Sequence, residues 1–179
     1  MDYSSIADIF SANERFRERF LATVTEISSD EAEIVPDGEK WSIKQIVEHV
    51  SMVEFGASRI CSRLLEAAKA DGKPSDGSFS LTANFGESAA KIATAKVEAP
   101  DRVQPSGEVA ILDSLERLAA ATDSIRAMRP DLEGLDLSGH TFPHPFFGEL
   151  TAAEWLVVAG LHERRHTKQI QRFLAAVRQ

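Results

Sequence analysis

Residues 150–179 read LTAAEWLVVAGLHERRHTKQIQRFLAAVRQ, and two histidines four positions apart, His162 and His166, sit in the middle of that stretch. Residues at i and i+4 share one face of a helix. With Trp155 at zero and about 100° per residue, Ala159 falls near about +40°, His162 near about −20°, His166 near about +20° and Phe173 near about 0°. The histidine pair therefore occupies the centre line of the apolar stripe. A buried polar group left unsatisfied costs about 1–3 kcal/mol, so two imidazoles in a core need partners. One metal ion bound across a helical turn satisfies both.

The ends of this helix are marked in the sequence. Thr151 and Glu154 have capping-box spacing, and Leu150 with Trp155 forms a hydrophobic staple, so the helix is expected from Ala152 to Arg178. Its first half, WLVVAGL, is apolar all round, and such a helix is buried on every side. The back face (Val157, Gly160, Leu161) needs cover from a long connection or from a second subunit. Gly160 costs about 1 kcal/mol relative to Ala inside a helix, which implies a close approach there.

Three more helices lie upstream. The first is expected from Ser5 to Ile27, with Ile6, Ile9, Phe10, Asn13, Phe16, Phe20, Val24 and Ile27 at helical period and Ser5 and Asp8 at capping-box spacing. The second runs from Ile43 to Ala70. Ser42 and Gln45 form its capping box, Trp41 and Ile46 its staple, and Gly72 its stop. Its stripe is Ile46, Val50, Val53, Ala57, Ile60 and Leu64. The third runs from Glu108 to Met128, with Ile111 or Leu112, Leu115, Leu118, Thr122 and Ile125 facing inward and Pro130 ending it. About a dozen residues join the first two helices and roughly thirty-five, from Asp71 to Gly107, join the second and third. A connection of that length crosses the whole bundle and lets the second and third helices run parallel; residues 85–97 form a short helix within it. The link LSGHTFPHPFFGEL, rich in Gly, Pro and aromatics, reads as ordered. No strand signal competes with the helices. The fold class is all-α: one domain over residues 1–179, a four-helix bundle.

The chain has 179 residues, 43% hydrophobic, with a formal net charge of −8. That balance argues against nucleic-acid partners, which need a basic surface. One cysteine, Cys61, rules out a disulfide framework and a thiolate metal cluster and reads as a small core residue. The N-terminal MDYSSIADIF lacks an apolar signal segment, and no apolar run is long enough to span a bilayer. A soluble, cytoplasmic protein acting on a small molecule is expected.

His49, about 60° off the centre of the second helix's stripe, adds a third nitrogen at the edge of a buried face. Three histidine ligands leave open positions for water or substrate, the pattern of a reactive site. Imidazoles suit zinc, nickel, iron or copper. His162-Glu163-Arg164-Arg165-His166 also spells the HExxH pattern of zinc peptidases, but no His, Asp or Glu follows His166 to complete the usual ligand set, and Glu163 falls near about +80°, off the stripe. Glu163 is expected to pair with an arginine or to support a ligand. Gln169, near about −40°, either holds a ligand imidazole or a metal-bound water or is an ordinary buried amide; Asn13 is a similar case. His140 and His144, in the loop before the last helix, are either surface or structural groups of a Pro-rich turn or, at the mouth of the site, lining or proton-transfer groups. Arg164, Arg165 and Lys168 read as a solvated face or as attraction for an anionic substrate.

Three segments, WSIKQIVEHV, APDRVQPSG and HPFFGELTAAEWLVVAGLHERRHTKQI, resemble the DinB-like, or YfiT-like, superfamily over nearly the full length. The resemblance implies an up-down-down-up four-helix bundle and a metal held by one histidine on the second helix and two on the fourth: here His49, His162 and His166. It also implies a divalent transition metal (zinc, nickel or iron) and a homodimer, as in some relatives. Its implied activity is transfer of a low-molecular-weight thiol onto small electrophiles, with the thiol as co-substrate. A metal-dependent hydrolase on the same site and a non-catalytic bundle that binds a metal or small ligand remain the alternatives.

Overall fold

A computed structural model describes residues 3–77, 79–82, 85–95 and 97–178. Four long helices carry the fold: α1 (Ile6–Thr25), α3 (Ile43–Asp71), α5 (Ile111–Gly134) and α6 (Ala152–Val177). Smaller elements join them: α2 (Ser29–Glu33), α4 (Phe85–Thr94), a 3₁₀ turn (Asp101–Val103) and a hairpin of β1 (Phe142–His144) and β2 (Gly148–Leu150). Among the described residues no helix is long and apolar enough to cross a membrane.

Helix directions follow from contacts far apart in sequence. The chain just past α3 pairs with the chain just past α5 through a Pro74–Leu135 bridge and a Ser75 N–H to Gly134 C=O bond of 2.9 Å. The two C-termini thus meet, and α3 and α5 run parallel. On α6, Ala152 meets Cys61 while His162 meets His49, so α6 is antiparallel to α3. Asn13 reaches Leu156, Arg17 reaches Glu163 and Thr23 reaches Gln171, so α1 and α6 run parallel. The order is up-down-down-up. α3 packs against α5 and α6, and α1 chiefly against α6.

The start signals act as the sequence predicts. Ser42–Gln45 and Thr151–Glu154 close reciprocal capping boxes, and Gly72 ends α3 in the left-handed conformation at φ +64°. Ser5 accepts from the Asp8 amide, whereas the Asp8 carboxylate turns back to Ser4 rather than closing the box. Glu154 also accepts from the Thr82 N–H at 2.7 Å, tying the long connection to the start of α6.

Several elements differ from the sequence expectation. α5 continues through Pro130 to Gly134. Proline inside a helix removes one backbone bond and costs about 3 kcal/mol; here the turn beyond it carries Leu132, 1% exposed, and is held by the bridge to Pro74. At its other end α5 starts at Ile111 rather than Glu108, because the Ser106 and Gly107 amides bond to the Glu48 carboxylate. Leu112 is 73% exposed, so Ile111 belongs to the inward stripe. The β1–β2 hairpin is a strand pair that the sequence reading did not expect: three residues on each side alternate too briefly to register, and Gly148 at φ +75° turns the chain. α2 sits in the first linker behind a Ser28–Glu31 capping box. α4 covers residues 85–94 of the expected 85–97; residue 96 of that stretch lies outside the described residues, as do Met1 and Asp2 of the N-terminal segment.

The core forms two apolar clusters, one around Ile9, Phe10, Leu65 and Leu156, the other around Phe20, Ile46, Val50 and Ile170. Between them runs a polar belt. Arg17 pairs with Glu163 at 2.7 Å and Glu54 at 3.4 Å, and it donates to Thr122 Oγ1 and to the Leu118 carbonyl. The histidines lie at the same level. The back face of α6 is covered within the chain. Asn13 of α1 closes over Gly160, where a Cβ would stand 1.9 Å from Asn13 Oδ1, and Arg165 bonds the Ile92 and Ala95 carbonyls of the long connection.

Candidate metal centre

The α3 capping box starts the helix so that His49 falls on its second turn, and the α6 box places His162 and His166 opposite it. The three Nε2 atoms converge. His49 Nε2 lies 3.0 Å from His162 Nε2, which lies 3.2 Å from His166 Nε2. His49 and His166 are 4% and 8% exposed.

The outer nitrogens fix the protons. His49 Nδ1 lies 2.7 Å from the Val103 carbonyl, which only accepts, so the ring proton sits on Nδ1. His166 Nδ1 donates to Gln169 Oε1 at 2.8 Å in the same way. Both rings therefore turn an Nε2 lone pair toward His162. If neutral, His162 has one N–H: on Nε2 it satisfies one of them and leaves the other without a donor, and on Nδ1 it leaves both contacts lone pair to lone pair. If that proton stays on Nε2, His162 Nδ1, buried and without a hydrogen-bond partner, is idle as well.

A proton is a poor bridge for this cluster. Burial lowers the pKa of all three rings, His162 well below the usual histidine value and His166 to about 3, and neighbouring histidines add to the effect at His162 and His166. What such a donor set suits is a cation with affinity for neutral imidazole nitrogen. Among the described residues, the ligand-type group here is His49, His162 and His166, with donor atoms within 4.8 Å of one another.

The centre opens into a cavity of about 1220 Å³ lined by α3, α6, the long connection and the hairpin. His144 stands on its wall, with ring centroids 5.0 Å from both Phe147 and Trp155. Its Nδ1 accepts from the Phe146 N–H, and burial, aided by Arg102, pushes its pKa down to about 4. It is therefore a neutral ring whose proton sits on Nε2. Trp41, 4.8 Å from the His49 ring, closes another side.

Other residues singled out from the sequence lie elsewhere. Glu163 faces α1 in its ion pair with Arg17 rather than the cavity, a position from which it serves no peptidase chemistry. His140 bonds Asp71 at the far end of α3, about 33 Å from His49 along the helix. Asn13 binds the Leu156 carbonyl, and Cys61, buried and pushed up to about 12 mainly by burial, is a core group. Sequence reasoning did not find the Val103 carbonyl or the buried Glu54, which has no motif. Glu48 was equally silent; it gathers the Ser106 and Gly107 amides and so holds the loop that orients His49.

A model of the DinB superfamily matches residues 12–170. The chain belongs to the DinB superfamily. It is 24% identical over 163 residues to the uncharacterized protein YuaE of Bacillus subtilis strain 168, covering 87% of this chain and 93% of that protein. Among solved structures it resembles TT2238, described as a four-helix bundle protein, with a TM-score of 0.59 and 24% identity over 94% of this chain and 99% of that one. An uncharacterised protein from Escherichia coli UTI89 aligns with a TM-score of 0.56 and 14% identity, over 98% and 96% of the two chains. The likeness to TT2238 bears out the four-helix bundle.

Proposed function

We propose that His49, His162 and His166 hold one divalent transition metal and that this DinB-superfamily chain uses it to transfer a low-molecular-weight thiol onto a small electrophile. The observation that carries the metal reading is the convergence of three Nε2 atoms, two with their Nδ1 protons committed to Val103 and Gln169. The chemistry such an ion supplies is stabilisation of an anionic nucleophile.

The protein's residues divide the remaining work. Val103 and Gln169 hold two ligand rings in the tautomer that offers Nε2. His144 presents an Nε2–H donor to whatever enters the cavity. Phe147 and Trp155 flank that ring. The arrangement of acids favours a thiol over water as nucleophile. Among the described residues no carboxylate joins the ligand group, and Glu54 and Glu163 are turned to Arg17. A thiol ionises near pH 8.5 unaided and needs a general base less than water does.

The test is consumption of a panel of small electrophiles by untagged protein, with and without low-molecular-weight bacterial thiols. Turnover that requires both thiol and an intact His162 supports the transferase. Thiol-independent hydrolysis of simple esters or amides overturns it in favour of a hydrolase, and bound metal without turnover on either panel in favour of a binding protein.

A further inference from the structure

The wall of the cavity does not share the charge of the chain. The protein carries 28 acidic and 20 basic residues, yet among the described residues lining the cavity cations outnumber acids six to two. Three of the six are engaged: Lys40 pairs with Glu98 at 2.7 Å, Arg165 binds two backbone carbonyls of the long connection, and Arg164 lies over the Phe16 ring. Glu98 is one of the two acids, so only Glu39 is left on that side. Arg102, Lys168 and Arg172 have no carboxylate partner among the described residues.

These cations are arranged along one line with apolar surface. On α6, Val157, Leu161, Arg165, Lys168 and Arg172 fall within about 80° of one another, and all five line the cavity. The stripe is apolar near the start of the helix, where Val157 is buried and Leu161 half-buried, and cationic toward the end. Leu161 and Lys168 are about 10 Å apart along the axis, and His162 and His166 adjoin that interval. Arg102 approaches from the 3₁₀ turn and lies close enough to His144 to lower its pKa. A solvated basic face at a helix C-terminus accounts for Lys168 and Arg172 alone. It does not account for Arg102 on a separate segment.

We infer that the cavity binds an amphipathic organic anion, with its carboxylate or phosphate group at Arg102, Lys168 and Arg172 and its apolar body against Leu161 and Phe147, both half-buried lining residues. This rests on reading the cavity as the substrate site and narrows the substrate class. A molecule so placed runs along the stretch of α6 whose neighbouring face carries His162 and His166, in the cavity that those histidines also line. Opposite charge at the mouth also raises the rate at which an anion enters an otherwise acidic protein.

The test is calorimetric titration of the full chain at low salt with decanoate, decyl phosphate, decanol and decyltrimethylammonium, each below its micelle concentration. At least one anion is expected to bind roughly tenfold tighter than the alcohol and the cation, with that margin shrinking in high salt. The variant carrying Arg102→Gln, Lys168→Gln and Arg172→Gln, all exposed positions, is expected to lose the margin while keeping its helical circular dichroism. Which anion leads tells carboxylate from phosphate. Equal affinity across the panel, or a margin untouched by the triple substitution, overturns the proposal. The His162→Ala variant separates the two readings: anion preference retained there supports the proposal whatever its metal content, and anion preference that vanishes there but survives the triple substitution assigns it to the metal and overturns the proposal.

Discussion

Gln169 is the residue on which the geometry of the proposed metal centre turns. Its carbonyl oxygen accepts from His166 Nδ1 and so keeps the Nε2 lone pair on the side of the other two histidines. Groups that orient a metal ligand in this way are typically worth about 10–100-fold in metal affinity. Gln169→Leu is expected to weaken metal binding by about that factor in a chelator competition titration, with the melting temperature of the metal-free protein little changed. An unchanged affinity would mean that the ring is held by its packing alone. Glu54 illustrates the opposite case, a buried group with no part in the centre. Burial and the charge of Glu163 push its pKa up to about 8 against the pull of Arg17. Two carboxylates share one guanidinium, and the shorter contact belongs to Glu163, so Glu54 carries the proton at neutral pH. The folded protein thus binds a proton between about 4.5 and 8 that the unfolded chain releases. This contribution to stability is complete below the unfolded value and is lost as pH rises through the folded one. Between pH 6.5 and 8 the melting temperature of wild type is expected to fall relative to that of Glu54→Gln, and the gap to stop widening above pH 8. A constant gap across that range would place an ionised carboxylate at this position.

At the scale of elements, α6 is the most exacting part of the bundle. Gly160 is buried beneath Asn13, whose amide donates to the Leu156 carbonyl at 2.9 Å. Alanine at position 160 gains about 1 kcal/mol of helix propensity but drives a methyl into the Asn13 side chain and displaces that hydrogen bond. Overpacking of this kind costs about 1–3 kcal/mol, so Gly160→Ala is expected to lower the denaturation midpoint. In an Asn13→Ala background the same substitution is expected to raise it, since only the propensity gain remains. Additive effects of the two changes would show that Asn13 does not set the glycine. The helices themselves were legible because their signals are local: capping boxes at Ser42 and Thr151, an αL glycine at position 72, and apolar stripes at helical period. The misjudged boundaries are those where distant contacts outweigh local rules. Pro130 fails to stop α5 because the turn beyond it is anchored through Leu132 and Pro74, and Glu48 takes the amides that would otherwise begin α5 near Glu108. The β1–β2 hairpin is too short for period-two alternation to be read, and α2 had its capping box in plain view within a segment taken for a linker.

Over the whole molecule, the connection between α3 and α5 decides where the chemistry lies. It makes those helices parallel, so that α6 returns antiparallel to α3 and brings His162 and His166 against His49 across 113 positions of sequence. It also supplies Val103 for one ligand and covers the back of α6. The three histidines were legible because each lies on or beside a buried stripe, where an unpartnered imidazole is costly. Their supports were legible only in part. Gln169 shares a helix face with His166 and was visible as a candidate, whereas a backbone carbonyl such as that of Val103 leaves no mark in a sequence. The polar belt is more than the metal centre. It divides two apolar clusters, and its Arg17–Glu54–Glu163 group fixes the register of α1, α3 and α6 at the level where the histidines meet. The central claim is that this level of the bundle holds one transition metal. Elemental analysis of protein purified without a polyhistidine tag tests it most directly, alongside His49→Ala, His162→Ala and His166→Ala. The account predicts about one equivalent in wild type and loss of most of it in each variant, with helical content retained. Wild-type protein that takes up no metal even after reconstitution, or variants that keep the full complement, would contradict it.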